Sequence, residues 1–300
     1  MKCKKCGKRA VEKLKPYGIA LCRDCYVEFY EGLVERSFKK FGIVKRGEKV
    51  LACVSGGKDS SAMLGVLSRL SEKLDFEVEA LHIDLGIGEY SKKSMKTVEE
   101  LCGVLGIKLH VISVAEFGFT IDDIPKKTCS ACGIVKRYLM NRYARLNGFD
   151  VVATGHTAED IISFFFKNWL SGNFSWSEKL LPRTESFDER IVTRIRPLYD
   201  RSEKENLLYV ICRGLPFLLD DCPHAPRDEW KEIVYYIESR KPGFRRNFVL
   251  NLAKYLEERV HGTVEVEEKE EYGYCKLCGE VTTFDVCAFC RLVKKFSAKP

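Results

Sequence analysis

No stretch of this chain approaches the ~18 consecutive apolar residues that a membrane-spanning helix needs. No apolar segment follows the positive charges of Met1-Lys2-Cys3-Lys4-Lys5-Cys6, so a secretory leader is not expected either. Solenoid repeats are missing. So is the composition of a disordered chain, since 45% hydrophobic and 31% charged residues are ordinary for a globular protein. A Walker A loop is absent as well: Lys58 is followed by Asp59 instead of Ser or Thr, and Ala52 stands where its first glycine would be. An NTPase that hydrolyses a γ-phosphate is therefore disfavoured. These absences leave a cytoplasmic globular protein, and 300 residues allow one large domain with appendages or two domains.

Cysteine, by contrast, is plentiful at 14 residues, and most of it lies in C-x-x-C pairs, which reads as metal binding in a reducing compartment. Cys3-x2-Cys6 and Cys22-x2-Cys25 are fifteen residues apart, and Cys275-x2-Cys278 and Cys287-x2-Cys290 are eight apart. Each quartet has the pattern of a closed, structural four-thiolate zinc site. Lys4, Lys5, Lys8 and Arg9 surround one, and Arg291, Lys294 and Lys295 the other. That charge suits RNA phosphates or simply a solvated surface, and the net charge of +7 fits both. The expected organisation is an N-terminal zinc module over 1–26, a catalytic domain over 27–265 and a C-terminal zinc module over 266–300.

Between the modules the sequence alternates strand and helix patterns. Lys49 to Val54 is a short apolar run, as expected of a strand buried on both faces of a parallel sheet. Met63, Leu64, Val66, Leu67 and Leu70 then recur at helical spacing between Asp59 and about Leu74. Further strands are expected over 77–84, 108–114 and 150–154, and helices over about 92–105 and 158–169. Repeated βα units predict an α/β protein with a parallel sheet and helices on both faces. Helical patterns over 203–212, 227–239 and 244–260 predict a helical extension. Such sheets bind ligands beyond the carboxyl ends of their strands, which points to the loops after Val54, Asp84 and Thr154.

Ser55-Gly56-Gly57-Lys58-Asp59-Ser60-Ser61 fills the first of these loops. Its glycines admit an anion to the backbone, and the free N–H groups of a helix start point at it; a tight turn with a serine cap is the alternative. The string S-G-G-x-D-S resembles the signature of the PP-loop ATP pyrophosphatases, which cut ATP between the α- and β-phosphates and adenylate a carbonyl oxygen. Gly155-His156-Thr157-Ala158-Glu159-Asp160 resembles that family's second nucleotide-binding stretch. The resemblance implies an ATP site in which Ser55, Gly56, Gly57, Ser60 and Ser61 hold the pyrophosphate and Lys58 neutralises it. In that site Asp59 binds Mg²⁺ or fixes the loop, while Cys53, His82 and Gly155 border the nucleotide. His82 reads equally as a packed strand residue, and His156 as a structural hydrogen-bonder. Asp160 is either a helix-cap residue or a catalytic carboxylate that touches ATP, and the resemblance favours the latter.

Cys129-Ser130-Ala131-Cys132 stands at the entrance to an expected helix running towards Asn147, and Cys222 stands alone in Asp221-Cys222-Pro223-His224. Two readings are open: a redox dithiol whose thiolate the helix start stabilises, or three ligands to an iron–sulfur cluster with one iron left open. A PP-loop with an internal C-x-x-C, a later single cysteine and cysteine modules at both ends resembles the tRNA 2-thiolation enzymes, most of all the TtuA type of the TtcA/TtuA family. The TtcA type lacks the terminal modules. This resemblance, which spans nearly the full chain, implies that Cys129, Cys132 and Cys222 hold a 4Fe-4S cluster whose open iron binds the sulfur to be transferred. Lys136, one helical turn beyond Cys132, then serves ATP binding and catalysis by stabilising an oxyanion or phosphate.

The implied activity is ATP-dependent 2-thiolation of the T-loop uridine of tRNA to 2-thiouridine or its 5-methyl form, with release of AMP and pyrophosphate. The implied cofactors are ATP, Mg²⁺, a 4Fe-4S cluster and two Zn²⁺. The implied partners are tRNA, a ubiquitin-like sulfur-carrier protein ending in a glycine thiocarboxylate, and a second copy of the chain. A wobble-uridine 2-thiolase, a sulfur-free PP-loop ligase and a non-catalytic RNA-binding scaffold are the alternatives. The basic stretch Arg240 to Arg246 is a candidate for the tRNA backbone or an ordinary solvent-facing loop, and Cys102 and Cys212 are given no function.

Overall fold

The computed structural model describes every residue except 127, 227, 262–271 and 298–300. The chain opens with a hairpin, β1 (Glu12–Leu14) and β2 (Ile19–Leu21), followed by helix α1 (Arg23–Phe41). The alternating region comprises β3 (Lys49–Cys53), α2 (Lys58–Leu74), β4 (Glu77–Asp84), α3 (Gly88–Leu105), β5 (Leu109–Ser113), α4 (Thr128–Leu146), β6 (Val151–Ala153) and α5 (Ala158–Leu170). Then come α6 (Phe174–Glu178), β7 (Arg183–Thr184), β8 (Thr193–Ile195), α7 (Glu203–Arg213), α8 (Glu229–Arg240) and α9 (Phe244–His261). A hairpin of β9 (Gly273–Tyr274) and β10 (Val281–Thr282) and helix α10 (Ala288–Phe296) complete it.

The central sheet has the order β5-β4-β3-β6-β8-β7. Its first five strands are parallel, but β7 pairs antiparallel with β8, so the expected parallel sheet is in fact mixed. The connection over 185–192 is too short for a parallel crossover, which takes a dozen residues or more. Val50 and Ala52 of β3 pack on one face with Ala62, Met63 and Val66 of α2, whereas Leu51 packs on the other with Leu81, Val152 and Ala144 of α4. The apolar run of β3 is thus buried on both sides, and its loop emerges at the carboxyl edge.

Four further elements frame that edge. Helix α7 packs against α2 where Gly65 leaves room, since a Cβ there would lie 2.5 Å from Leu215 Cδ1. Helix α5 is covered by α8 and α9 through Ile161, Val234 and Val249. The N-terminal module joins the main core through Leu14, Leu21 and Tyr26. The C-terminal module rests on α4, with Tyr138 stacked on Phe289 of α10 at a ring separation of 3.9 Å. The module limit expected at residue 26 falls inside α1, and the one at 265 lies outside the described residues, as does the residue-227 start of the helix that begins here at Glu229. No helix among the described residues is long and apolar enough to cross a membrane.

Candidate nucleotide and sulfur-transfer site

The glycine loop between β3 and α2 is folded by its own serines and propped by α3. Ser60 Oγ donates to the Gly57 carbonyl at 2.9 Å and accepts from the Ser55 amide at 3.2 Å. Ser94 Oγ of α3 donates to the Ser55 carbonyl at 2.6 Å. Gly56 has a φ of 83°, and a Cβ there would stand 3.1 Å from the Ser94 carbonyl oxygen, so this position requires glycine twice over. Gly57 caps α2 without any side-chain acceptor, which leaves the first amides of α2 for an anion.

The second motif lies directly against the first. A Cβ on Gly155 would be 3.3 Å from the carbonyl carbon and oxygen of Asp59, so the Asp59 backbone would have to give by a few tenths of an ångström to admit it. From Asp59 an alternating chain of charges crosses to Asp160. Lys58 Nζ lies 3.0 Å from Asp59 Oδ2 and 2.9 Å from Glu203 Oε2. Lys231 of α8 pairs with Glu203 and lies 2.7 Å from Asp160 Oδ1. Burial draws the Lys58 and Lys231 pKa values down, but these carboxylates outweigh it and both end above the usual lysine range. Burial pushes Asp59 above the usual carboxylate range, whereas for Asp160 and Glu203 the Lys231 charge overcomes burial and holds them below it.

Asp160 is also the reciprocal partner in the capping box of α5. Its Oδ2 accepts from the Thr157 amide at 2.8 Å, and its own amide donates to Thr157 Oγ1 at 3.4 Å. The cap and the charge pair therefore use different oxygens of one carboxylate. The neighbouring Glu159 is fully buried, pushed up to about 7 by that burial, and paired with Arg245. Arg245 is thus committed inside the protein and is not available to a nucleic-acid backbone, which corrects the reading of 240–246 as a wholly exposed basic turn.

At the strand ends, His82 is buried and hydrogen-bonded through Nδ1 to the Val54 carbonyl at 2.9 Å. Burial lowers its pKa, keeping the ring neutral. His156 shares a 2.8 Å hydrogen bond with Thr154 Oγ1, and burial pulls it down to about 4, so it too is uncharged near neutrality. Burial pushes the Cys53 thiol up to about 12, which makes it an inert wall.

The internal cysteines converge on the start of α4. Cys129 Sγ reaches the His224 carbonyl at 2.6 Å, beside Cys222 in the loop before α8. Burial raises the Cys132 thiol above its usual range, and the nearby Lys136 charge opposes the shift without reversing it. The three are neighbours, yet among the described residues only the terminal quartets bring all their sulfurs within 4.8 Å of one another. Within those quartets Cys6–Cys22 is 3.5 Å and Cys278–Cys287 3.7 Å, close to the edge of a tetrahedron with ~2.3 Å Zn–S bonds. The donor chemistry and spacing fit zinc at both ends. A cluster binds each thiolate to a different iron and so suits the wider internal set.

Three residues of this network were not foreseen in the sequence: Glu203, Lys231 and Asn206, whose amide donates to Asp59 Oδ1. The capping pattern Ser202-x-x-Glu205 marked the start of α7, but nothing in sequence aligned Lys231 of one helix with Asp160 of another.

A glycine-rich loop and a second motif packed together at the carboxyl edge of a parallel sheet define a nucleotide-binding PP-loop protein. The model of the PP-loop domain matches residues 31–227, and that of the N-terminal LIM domain of 2-thiouridine synthetase TtuA matches residues 2–27. The chain belongs to the TtuA/TtcA family of PP-loop ATP pyrophosphatases. It is 38% identical to the tRNA-5-methyluridine(54) 2-sulfurtransferase of Thermotoga maritima, over 98% of this chain and 97% of that one. To the protein of the same name from Pyrococcus horikoshii it is 35% identical, over 97% and 93%. The U34-tRNA thiolase NcsA of Methanococcus maripaludis, solved with its [4Fe-4S] cluster, superposes with a TM-score of 0.80 over 100% of this chain and 98% of that one. At 24% identity that is a likeness of fold.

Proposed function

We propose that this chain is an ATP-dependent tRNA 2-thiolase acting on the T-loop uridine at position 54. One observation carries the reading: α4 presents Cys129, Cys132 and Lys136 at the same sheet edge where β3 and β6 present the two nucleotide motifs. The 2-sulfurtransferase relatives at 35% and 38% identity support the choice of position.

In this reading the loop amides, Ser60, Ser61 and Lys58 bind the polyphosphate, and Asp59 holds Mg²⁺. Adenylation turns the C2 oxygen of the uridine into part of a good leaving group, AMP, whose place sulfur takes. Lys136 stabilises the negative charge that develops there. Asp160, ionised and already engaged by Thr157 and Lys231, serves by positioning Lys231 next to the nucleotide. A cluster held by Cys129, Cys132 and Cys222 supplies an iron free of protein ligands, a coordination site for sulfur. The terminal quartets bind one Zn²⁺ each and are structural. The donor is a ubiquitin-like carrier with a C-terminal glycine thiocarboxylate, and the working unit is a homodimer. Fourteen free cysteines support a reducing, cytoplasmic setting.

The test is the fate of ATP. Anaerobically purified protein given ATP, Mg²⁺, sulfide and tRNA should release AMP and pyrophosphate only when tRNA is present. Release of ADP, or turnover indifferent to tRNA, would contradict the assignment.

A further inference from the structure

Arg194 lies in the middle of β8, in register with Val152 of β6, which is in register with Leu51 of β3. Residues in register share a face of the sheet, so Arg194 points to the side where Leu51 and Val152 meet Met140 and Ala144 of α4. Cys53, two residues beyond Leu51, borders the same side. Arg137 comes from α4 itself: a Cβ on Gly133 would stand 3.2 Å from its Nη1. Burial and then the Arg137 charge hold Arg194 below the usual guanidinium range; Arg137 itself is exposed on α4.

What distinguishes this pair is the lack of an anion. Arg183 is paired with Glu48, Arg201 with Asp200 and Arg245 with Glu159. Among the described residues no carboxylate pairs with Arg137 or Arg194; their nearest opposing groups are the thiols of Cys132 and Cys53. Arg194, half-buried beside the like charge of the exposed Arg137 and without a counter-charge, is unfavourably placed until an anion arrives. The polyphosphate loop starts α2, which packs on the opposite face of the sheet with Val50 and Ala52. The arginines instead lie on the α4 side, Arg137 beside Cys132 and Arg194 beside Cys53.

We propose that Arg137 and Arg194 form a clamp for an RNA backbone phosphate next to the target nucleotide. The inference rests on the tRNA reading above. Guanidinium forks match phosphate oxygens in a way lysine does not.

The test uses full-length, metal-loaded protein and the variants Arg137→Ala, Arg194→Ala and Arg194→Lys, each checked by thermal melting. The affinities for tRNA over a salt series and for ATP alone are then measured. Each alanine variant should bind tRNA roughly tenfold more weakly and lower the slope of log K against log salt by about 0.9, with ATP affinity within about twofold. Arg194→Lys should keep the slope while losing affinity, which also serves if the alanine variant fails to fold. Unchanged tRNA affinity and slope, or a loss confined to ATP, would overturn the clamp. If the unaltered protein bound no tRNA, the functional reading itself would fall and the clamp with it.

Discussion

The side-chain amide of Asn206 donates to Asp59 Oδ1 at 2.9 Å, tying the first turn of α2 to the interior of α7. At its other end the same amide accepts from Tyr30 OH of α1 at 2.6 Å. Asn206 is fully buried, and its two bonds connect the helix leaving the N-terminal module to the nucleotide loop. Asn206→Ala should leave the buried Tyr30 hydroxyl without its partner and take one bond from the half-buried Asp59, at a cost of about 1–3 kcal/mol of stability, read by denaturant unfolding. ATP affinity should fall as well, because Asp59 loses the bond that fixes it.

Gly155→Ala tests the contact between the two motifs. The added methyl meets Asp59 backbone at 3.3 Å, so the loops have to part by a few tenths of an ångström. ATP binding measured by titration should weaken by tenfold or more while zinc and iron contents stay unchanged.

His156 makes the site sensitive to acid. Its folded pKa of about 4 lies below the unfolded value of ~6.5. Between those values the unfolded chain binds more protons, so this residue lowers stability as pH falls through that window and contributes no slope above it. The cost is on the order of 3 kcal/mol at most by pH 4. In His156→Gln the melting temperature should lose part of its decline between pH 6.5 and 4; an unchanged decline would contradict a lowered pKa at His156.

The two kinds of cysteine should behave differently. Cys222→Ser should keep zinc and melting temperature but lose iron, acid-labile sulfide and thiolation. Cys3→Ser, in a closed quartet with Cys6, Cys22 and Cys25, should lose one zinc and much of the stability of the N-terminal module. Metal analysis of the two variants side by side separates these outcomes.

Much of this arrangement could be read from the chain alone. β3 is an apolar run bounded by charge and glycine, and α2 shows a helical period of apolar residues, so they stood out. The S-G-G-x-D-S loop and the cysteine spacings depend on neighbours a few residues apart, and sequence preserves such local relations. β7 and β8, with two and three residues, are too short to carry a period, and with them the mixed character of the sheet was hidden. Arg245 looked like part of an exposed basic turn because its partner Glu159 is 86 positions away. Lys231 was hidden for the same reason: its meaning comes from Asp160 and Glu203, which only the packing of α8 on α5 brings to it. Asp160 was visible as a cap, which it is, while its other oxygen meets Lys231.

The most direct test of the central claim is the identity of the modified nucleoside. Anaerobically purified, metal-loaded protein is incubated with ATP, Mg²⁺, sulfide and unmodified tRNA, and the digested tRNA is mapped by mass spectrometry. The account predicts a 2-thiouridine, or its 5-methyl form, at position 54 of the T-loop. Sulfur at the wobble position would contradict the assigned target, and no thiolated nucleoside from protein retaining iron and zinc would contradict sulfur transfer itself.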